Sequence, residues 1–86
     1  MYKIRLKGQQ IYAKGIAENT ARNVKQVAEQ SNRNYKAVLR WLTNPDMATL
    51  DLDMFADILV DGIGMSPDQI ENARFGDFFE IIPLTE

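Results

Sequence analysis

The chain has 86 residues and a net charge of −2 at pH 7, and it contains neither Cys nor His. This length fits one domain with a modest core, residues 1–86, and excludes a deep substrate cleft between two lobes. Without Cys or His there is no thiolate or imidazole to act as a nucleophile, a general base or a metal ligand. We therefore expect a binding module rather than an enzyme, and we expect no cofactor.

The N-terminal stretch "MYKIRLKGQQ" alternates charged with apolar residues, so it lacks the apolar core of a signal peptide. Apolar runs such as "FADILV" are too short to cross a bilayer. The absence of Cys is typical of a reducing compartment. The sequence therefore predicts a cytoplasmic protein that does not enter a membrane.

Charge is divided unevenly along the chain. Residues 1–44 hold nine Lys or Arg against two acidic residues, whereas residues 45–86 hold one Arg against ten acidic residues. This asymmetry predicts that one side of the molecule binds a polyanion, while the acidic side faces away or meets a different partner. Solvated surface on both sides is the alternative, because the sign of a charge does not reveal its use.

The first predicted element is a β-hairpin in residues 1–14. Apolar residues alternate with basic ones at its start: Tyr2, Ile4 and Leu6 with Lys3, Arg5 and Lys7. This period of two is typical of a strand with one buried and one solvated face. Gly8 can adopt a positive φ in a turn, after which residues 11–14 return as a second strand. A helix is the alternative for residues 9–16, and Gly15 weakens it.

Residues 23–31 predict a short helix. Asn23 is a suitable N-cap with Gln26 three residues later, the spacing of a capping box. The apolar residues of this helix share one face: Val24, Val27 and Ala28. Asn32 then favours a sharp turn, because Asn tolerates the left-handed conformation that ends many helices.

A second helix is predicted over residues 35–43, with Asn34 as its cap. Its apolar residues recur at i, i+3 and i+4 and predict a buried face: Val38, Trp41 and Leu42. The other side carries Tyr35, Lys36, Leu39 and Arg40. Two short helices joined by a tight turn leave this other side exposed.

The acidic half predicts a further helix start and a strand. Ser66 as cap, Pro67 at the first helical position and Gln69 at the third indicate the helix start. The predicted strand covers residues 76–86, where four residues make the chain too apolar for a free tail: Phe78, Phe79, Ile81 and Ile82. Pro83 confines the strand to a sheet edge or ends it. The strand pairs either with the N-terminal hairpin of its own chain or with a second copy.

The run "VAEQSNRNYKAVLRWL" resembles the helix-turn-helix of the phage-repressor family, the Cro/repressor or XRE type. The positions that carry the resemblance are Val27 and Ala28 in the first helix, Asn34 as cap, and Val38 and Trp41 in the second helix, and Asn32 stands in the turn where the family usually has Gly. The resemblance covers residues 23–70 and implies that Leu52, Phe55, Ala56 and Leu59 pack beneath the motif. It implies an α+β, mainly helical fold, in which a small β element from the terminal segments joins the helix-turn-helix core.

The resemblance also implies a sequence-specific, DNA-binding transcriptional regulator. The second helix of such a motif enters the major groove. The candidates for base contacts are then Asn34, Tyr35, Lys36, Leu39 and Arg40, and those for phosphate contacts are Arg22, Lys25 and Arg33. Two alternatives stay open: Asn34 serves only as a cap, and Tyr35 packs over the turn. The basic residues of the hairpin form either a wing beside the groove or a solvated strand face.

Cro-type proteins join such domains to β-strands and dimerise. The resemblance therefore favours a homodimer on a pseudo-palindromic operator, built by the strand residues Phe78, Phe79, Ile81 and Ile82, with double-stranded DNA as the partner. The alternative is a protein-interaction module, such as an antitoxin-like or adaptor subunit, whose acidic C-terminal half binds a basic protein. These two functions are not exclusive.

Overall fold

The structure is a computed structural model that describes residues 1–21, 23–44 and 51–84. Its elements run in the order β1 Tyr2–Leu6, α1 Gly8–Ala17, α2 Val24–Ser31, α3 Tyr35–Thr43, α4 Leu52–Asp57, a π-helical segment Ile58–Ile63, α5 Pro67–Glu71, α6 Phe75–Phe78 and β2 Phe79–Pro83. Helices dominate these ranges, and β1 and β2 form an antiparallel sheet. The predicted mainly helical α+β class is confirmed.

The two strands form a ribbon that joins the ends of the described chain. Tyr2 lies opposite Pro83, and Leu6 lies opposite Phe79. The strand predicted near the C-terminus is thus confirmed over Phe79–Pro83, and it pairs with the N-terminal strand of its own chain.

The strand prediction is wrong for the residues just before β2. Residues 76–78 lie in α6, and the Phe78 side chain is only 8% exposed. The Phe78 carbonyl accepts a hydrogen bond from the Lys7 N–H over 2.7 Å. This helical turn brings the Phe78 ring into the core, whereas the alternation of an extended strand carries successive side chains to opposite faces.

The predicted N-terminal hairpin is wrong in its second half, because residues 9–16 belong to α1. Ile11 and Gly15, four residues apart, face the core together. Gly15 is accommodated for a packing reason: a Cβ at this position would lie 3.1 Å from Cγ2 of Ile63 and 3.2 Å from Cβ of Ala21. Glycine lowers the stability of a helix, but at this position it permits a close contact that a larger residue would crowd.

Gly8 permits the closest approach of α1 to α3. A Cβ on Gly8 would lie 2.0 Å from the Trp41 carbonyl oxygen and 3.0 Å from the Leu42 Cα. The side-chain amide of Gln9 reinforces the contact by donating to the Thr43 carbonyl over 3.2 Å. The start of α1 therefore lies directly against the last turn of α3, in a place that has no room for a side chain.

One hydrophobic core joins the helices and the base of the ribbon. Its most buried large residues come from α2, α3 and the π-helical segment: Val27, Val38, Leu42, Ile58 and Leu59. The predicted buried face of α3 is confirmed, with Trp41 only 3% exposed. Ser66, Pro67 and Gln69 begin α5 as predicted, and Ser66 and Gln69 form a capping box.

The prediction of which residues pack beneath the motif is wrong at two positions. Leu52 is 72% exposed, and Ala56 is also exposed. The prediction is confirmed at the other two positions, because Leu59 is fully buried and Phe55 is partly buried against the core. Ile58 and Ile63, three and eight residues after Phe55, complete this face of the helix. Leu52 and Ala56 fall outside this face of the helix.

Aromatic rings connect α3 to the C-terminal elements through Phe55. Its ring centroid lies 5.4 Å from that of Trp41, 5.5 Å from that of Phe78 and 5.6 Å from that of Phe79. The Phe55 and Phe78 rings meet edge to face, an arrangement that the quadrupoles of aromatic rings favour.

Replacing Gly8 by Ala tests the contact between α1 and α3. Because the obstructing atom is a backbone carbonyl oxygen rather than a flexible side chain, we expect Gly8→Ala to lower the free energy of unfolding by about 1–3 kcal/mol or more. Urea denaturation followed by circular dichroism measures this. Gly76→Ala is the matched control, because a Cβ at Gly76 would meet nothing within 4 Å. Equal stability of the two variants would contradict the contact.

Ending the chain at Gly76 tests whether β2 completes the monomer. This truncation removes the pairing partner of β1 and takes Phe78 out of the core, so we expect the cooperative unfolding transition to be lost. A chain that ends at Leu84 keeps β2 and should unfold as the full chain does. Circular dichroism during heating compares the two, and a folded, cooperative chain ending at Gly76 would show that the ribbon is dispensable.

Candidate nucleic-acid interface

The turn between α2 and α3 has the geometry that its Asn residues predict. Asn32 adopts the left-handed conformation with φ of 55°. Its N–H reaches the Glu29 carbonyl at 3.2 Å, and the Arg33 N–H donates to the Ala28 carbonyl over 3.0 Å. These bonds satisfy carbonyls at the end of α2, and three residues connect α2 to α3.

Ser31 at the end of α2 is buried and satisfies its hydroxyl within the helix. The hydroxyl lies 2.7 Å from the Val27 carbonyl oxygen and 3.2 Å from that of Ala28. Beside it, Gly62 lets the π-helical segment approach α2, since a Cβ on Gly62 would lie 2.7 Å from Cγ1 of Val27. Ser31 on α2 and Gly62 on the π-helical segment are small enough for these two elements to pack closely together.

Both helices of the motif are capped by Asn. Asn23 Oδ1 accepts from the Gln26 N–H over 2.8 Å. Asn34 Oδ1 accepts from the Lys36 N–H over 2.9 Å and from the Ala37 N–H over 3.3 Å. The cap predicted for Asn34 is therefore confirmed, and this oxygen is already engaged by the chain.

The outer face of α3 carries most of the predicted base-contacting residues. Lys36 and Arg40, one helical turn apart, are exposed, Tyr35 is 47% exposed, and Leu39 is half-buried between them and the core side. Within the described ranges, neither Lys36 nor Arg40 takes part in a salt bridge. The packing of the opposite face fixes the direction in which these two cations point.

The predicted phosphate-contacting residues do not behave alike. Lys25 is exposed on α2. Arg33 is held by Asp57 of α4, with Nε 3.0 Å and Nη2 2.6 Å from the same carboxylate oxygen. Arg22 lies outside the described residues. The partner of Arg33 was missed because nothing in the sequence pattern connects residues 24 positions apart.

A shallow groove of about 450 Å³ lies between α2 and the start of α3. Its lining includes Lys25, Glu29, Arg33 and Tyr35. Tyr35 lines this groove and is 47% exposed, so its ring is accessible from outside. Glu29 contributes a negative charge that opposes the entry of a phosphate, so the groove offers mixed charge, in contrast to the cationic outer face of α3.

The basic residues of the N-terminal strand are largely engaged by their own chain. Arg5 Nε donates to Glu80 Oε1 over 2.8 Å, and Lys7 Nζ donates to the Gly76 carbonyl over 2.7 Å. The first bond joins the two strands of the ribbon, and the second joins the residue after β1 to α6. This favours a structural role for Arg5 and Lys7 over a basic wing.

The four residues assigned to a strand or dimer contact divide by burial. Phe78 is buried, Phe79 and Ile82 are half-buried, and Ile81 is 59% exposed. Only Ile81 of this set is thus widely exposed on the ribbon.

No helix in the described ranges is long and apolar enough to cross a membrane. No group of three or more acidic residues in these ranges is placed to hold a metal ion.

Comparison with protein-family models, with curated proteins and with solved structures finds no significant match to this chain.

Two substitutions of Asn34 test how much its capping of α3 contributes to stability. Asn34→Ala should lower the free energy of unfolding by about 1 kcal/mol, because two N–H groups at the start of α3 lose their acceptor. Asn34→Ser, which retains a capping oxygen, should leave stability nearly unchanged. Urea denaturation of both variants measures this, and equal losses in the two would mean that the cap contributes little.

Proposed function

We propose that this chain is a sequence-specific DNA-binding regulator that reads the major groove with α3. The observation that carries the proposal is the pair Lys36 and Arg40. Both are exposed, both lie on one face of a capped helix, and the opposite face of that helix is locked into the core. A helix presented in this way fits the width of the major groove and brings cations to guanine and phosphate oxygens.

The residues have distinct roles in this proposal. Arg40 donates two hydrogen bonds to guanine O6 and N7, and Lys36 reaches guanine or a phosphate. Leu39 contacts a thymine methyl group. Asn34 caps α3, with its amide nitrogen left to face DNA, and Tyr35 covers the turn.

The phosphate contacts come chiefly from Lys25. Arg33 contributes less, because Asp57 already engages its guanidinium through two hydrogen bonds. Their side chains are 33% and 42% exposed, so the pair is partly screened by solvent and a phosphate competes with Asp57 for the Arg33 guanidinium.

A homodimer on a pseudo-palindromic operator completes the proposal. One α3 reads only a few base pairs, whereas two copies related by a two-fold axis engage half-sites about 34 Å apart. Their affinity rises through effective concentration, without any new contact to DNA.

A second candidate function is a protein-interaction module that binds a basic partner with its acidic half. The observation that favours it is a set of exposed carboxylates without a salt bridge among the described residues: Asp53, Asp61, Asp68 and Glu71. Such a module binds protein whether or not DNA is present, so a chain without sequence-specific DNA binding would leave this second function as the candidate.

DNA binding is tested by fluorescence anisotropy with two duplexes of equal length, one selected from a random library by the protein and one scrambled. We expect Arg40→Ala to weaken the binding free energy for the selected duplex by about 1–3 kcal/mol and to change that for the scrambled duplex much less. Lys25→Ala should weaken both equally and reduce the salt slope by about one. Lys14→Ala is the matched control, because Lys14 is exposed on α1 rather than on the motif.

Three outcomes would contradict the proposal. Equal effects of Arg40→Ala on both duplexes would make Arg40 a phosphate contact. If Lys14→Ala weakened DNA binding as much as Arg40→Ala or Lys25→Ala does, the binding would depend on net charge and not on the face of α3. Affinity that does not fall with salt, or no selected duplex, would exclude groove binding and favour the protein-interaction module.

A further inference from the structure

One face of the ribbon is apolar and exposed. In the pairing register Tyr2 lies opposite Pro83 and Ile4 lies opposite Ile81, and these four residues share the same face. Tyr2 is 72% exposed, Ile4 63% and Ile81 59%. Alternation in the sequence predicts a buried face for Tyr2, Ile4 and Leu6, yet within one chain only the Leu6 end is buried.

The apolar surface continues onto α6. The ring of Phe75, itself 50% exposed, lies 5.1 Å from the ring of Phe79, and Phe79 lies on the same face of β2 as Ile81. We call the set Tyr2, Ile4, Phe75, Ile81 and Pro83 the ribbon face. It is contiguous with the core through Leu6 and Phe79.

The two sides of the ribbon differ in charge. The ribbon face contains no charged residue, whereas the opposite side carries Lys3 and the Arg5–Glu80 ion pair. A sheet with one apolar face and one charged face usually has its apolar face covered and its charged face in contact with solvent. Here the side that should be covered is the exposed one.

We propose that a second copy of this chain covers the ribbon face, so that two ribbons pack face to face about a two-fold axis. An uncharged patch offers no complementarity to the charges of a basic or an acidic partner, whereas it is complementary to itself. The ribbon face presents roughly 500 Å² of apolar surface, about the size of the largest apolar patch on a typical monomer, and such patches are often functional. Two such faces bury about 1,000 Å², the lower limit for a specific interface.

This interface gives the proposed homodimer a specific structure. Its role in binding DNA rests on the proposed function. It differs from dimers in which β2 pairs edge to edge, since the contacts are made by side chains of both β1 and β2. Tyr2 and Ile4, rather than the buried Phe78, become interface residues.

Sedimentation equilibrium without DNA tests the proposal independently of DNA binding. We expect the full chain to form dimers as its concentration rises, and Ile81→Glu to weaken dimerisation by more than about tenfold, because a carboxylate would be buried without a partner. Ile16→Glu is the matched control: Ile16 is 40% exposed on α1, outside the ribbon face, and the change is chemically identical. Tyr2→Ser, which adds no charge, should weaken the dimer as well.

Disulfide trapping identifies the contact directly, because the natural chain contains no Cys. Ile81→Cys should form a covalent dimer on mild oxidation, and Ile16→Cys should not. Circular dichroism of each variant checks that its fold is retained.

The outcomes separate this inference from the proposed function. A full chain that stays monomeric at every concentration, or an Ile81→Glu chain that dimerises as strongly as the Ile16→Glu control, would overturn the interface. In either case, salt-dependent binding of a single half-site would still support DNA recognition. A dimer sensitive to Ile81→Glu in a protein that binds no DNA would support the interface and overturn the proposed function.

Discussion

The contact between Gly8 and the last turn of α3 is the constraint on which the rest of the structure depends. With the Trp41 carbonyl oxygen 2.0 Å from where a Cβ would stand, the position admits only glycine without a backbone shift. The contact fixes the C-terminal end of α3 against α1. Since only Lys7 separates β1 from α1, it also fixes where the ribbon leaves the core. The Lys7 N–H and Nζ then tie this junction to Phe78 and Gly76.

The remaining contacts of α3 leave it one free side. The tight turn at Asn32 sets α3 against α2, and the close approach of Gly62 to Val27 seats α2 on the π-helical segment. The ring of Trp41 packs against that of Phe55, which in turn touches two further rings. A helix fixed at its end, its turn and its inner face presents outward side chains with little freedom of the backbone, which favours precise recognition of a rigid partner such as a DNA groove.

The division of charge along the chain is partly resolved inside the molecule. In the part of the chain that the structure describes, ion pairs join the basic half to the acidic half: Arg5 pairs with Glu80 across the ribbon, and Arg33 pairs with Asp57 between the turn and α4. The acidic half therefore holds basic segments in place as well as contributing exposed carboxylates. Lys25, Lys36 and Arg40 carry exposed positive charge on the two helices of the motif. The basic surface available to a polyanion is thus smaller than the number of Lys and Arg residues in the first half of the chain indicates.

Sequence by itself determined the local features of this protein: the Asn caps, the left-handed turn at Asn32, the bounds and buried face of α3, and the presence of the C-terminal strand. Each depends on residues within a few positions of one another, so propensity and periodicity suffice. Only the tertiary structure decided that residues 9–16 form a helix, since the close packing of Gly8 against Trp41 and of Gly15 against Ile63 favours glycine at two positions of α1. It also decided the Arg33–Asp57 pair and the outward direction of Ile4 and Ile81. These depend on contacts between distant segments, which no local pattern records.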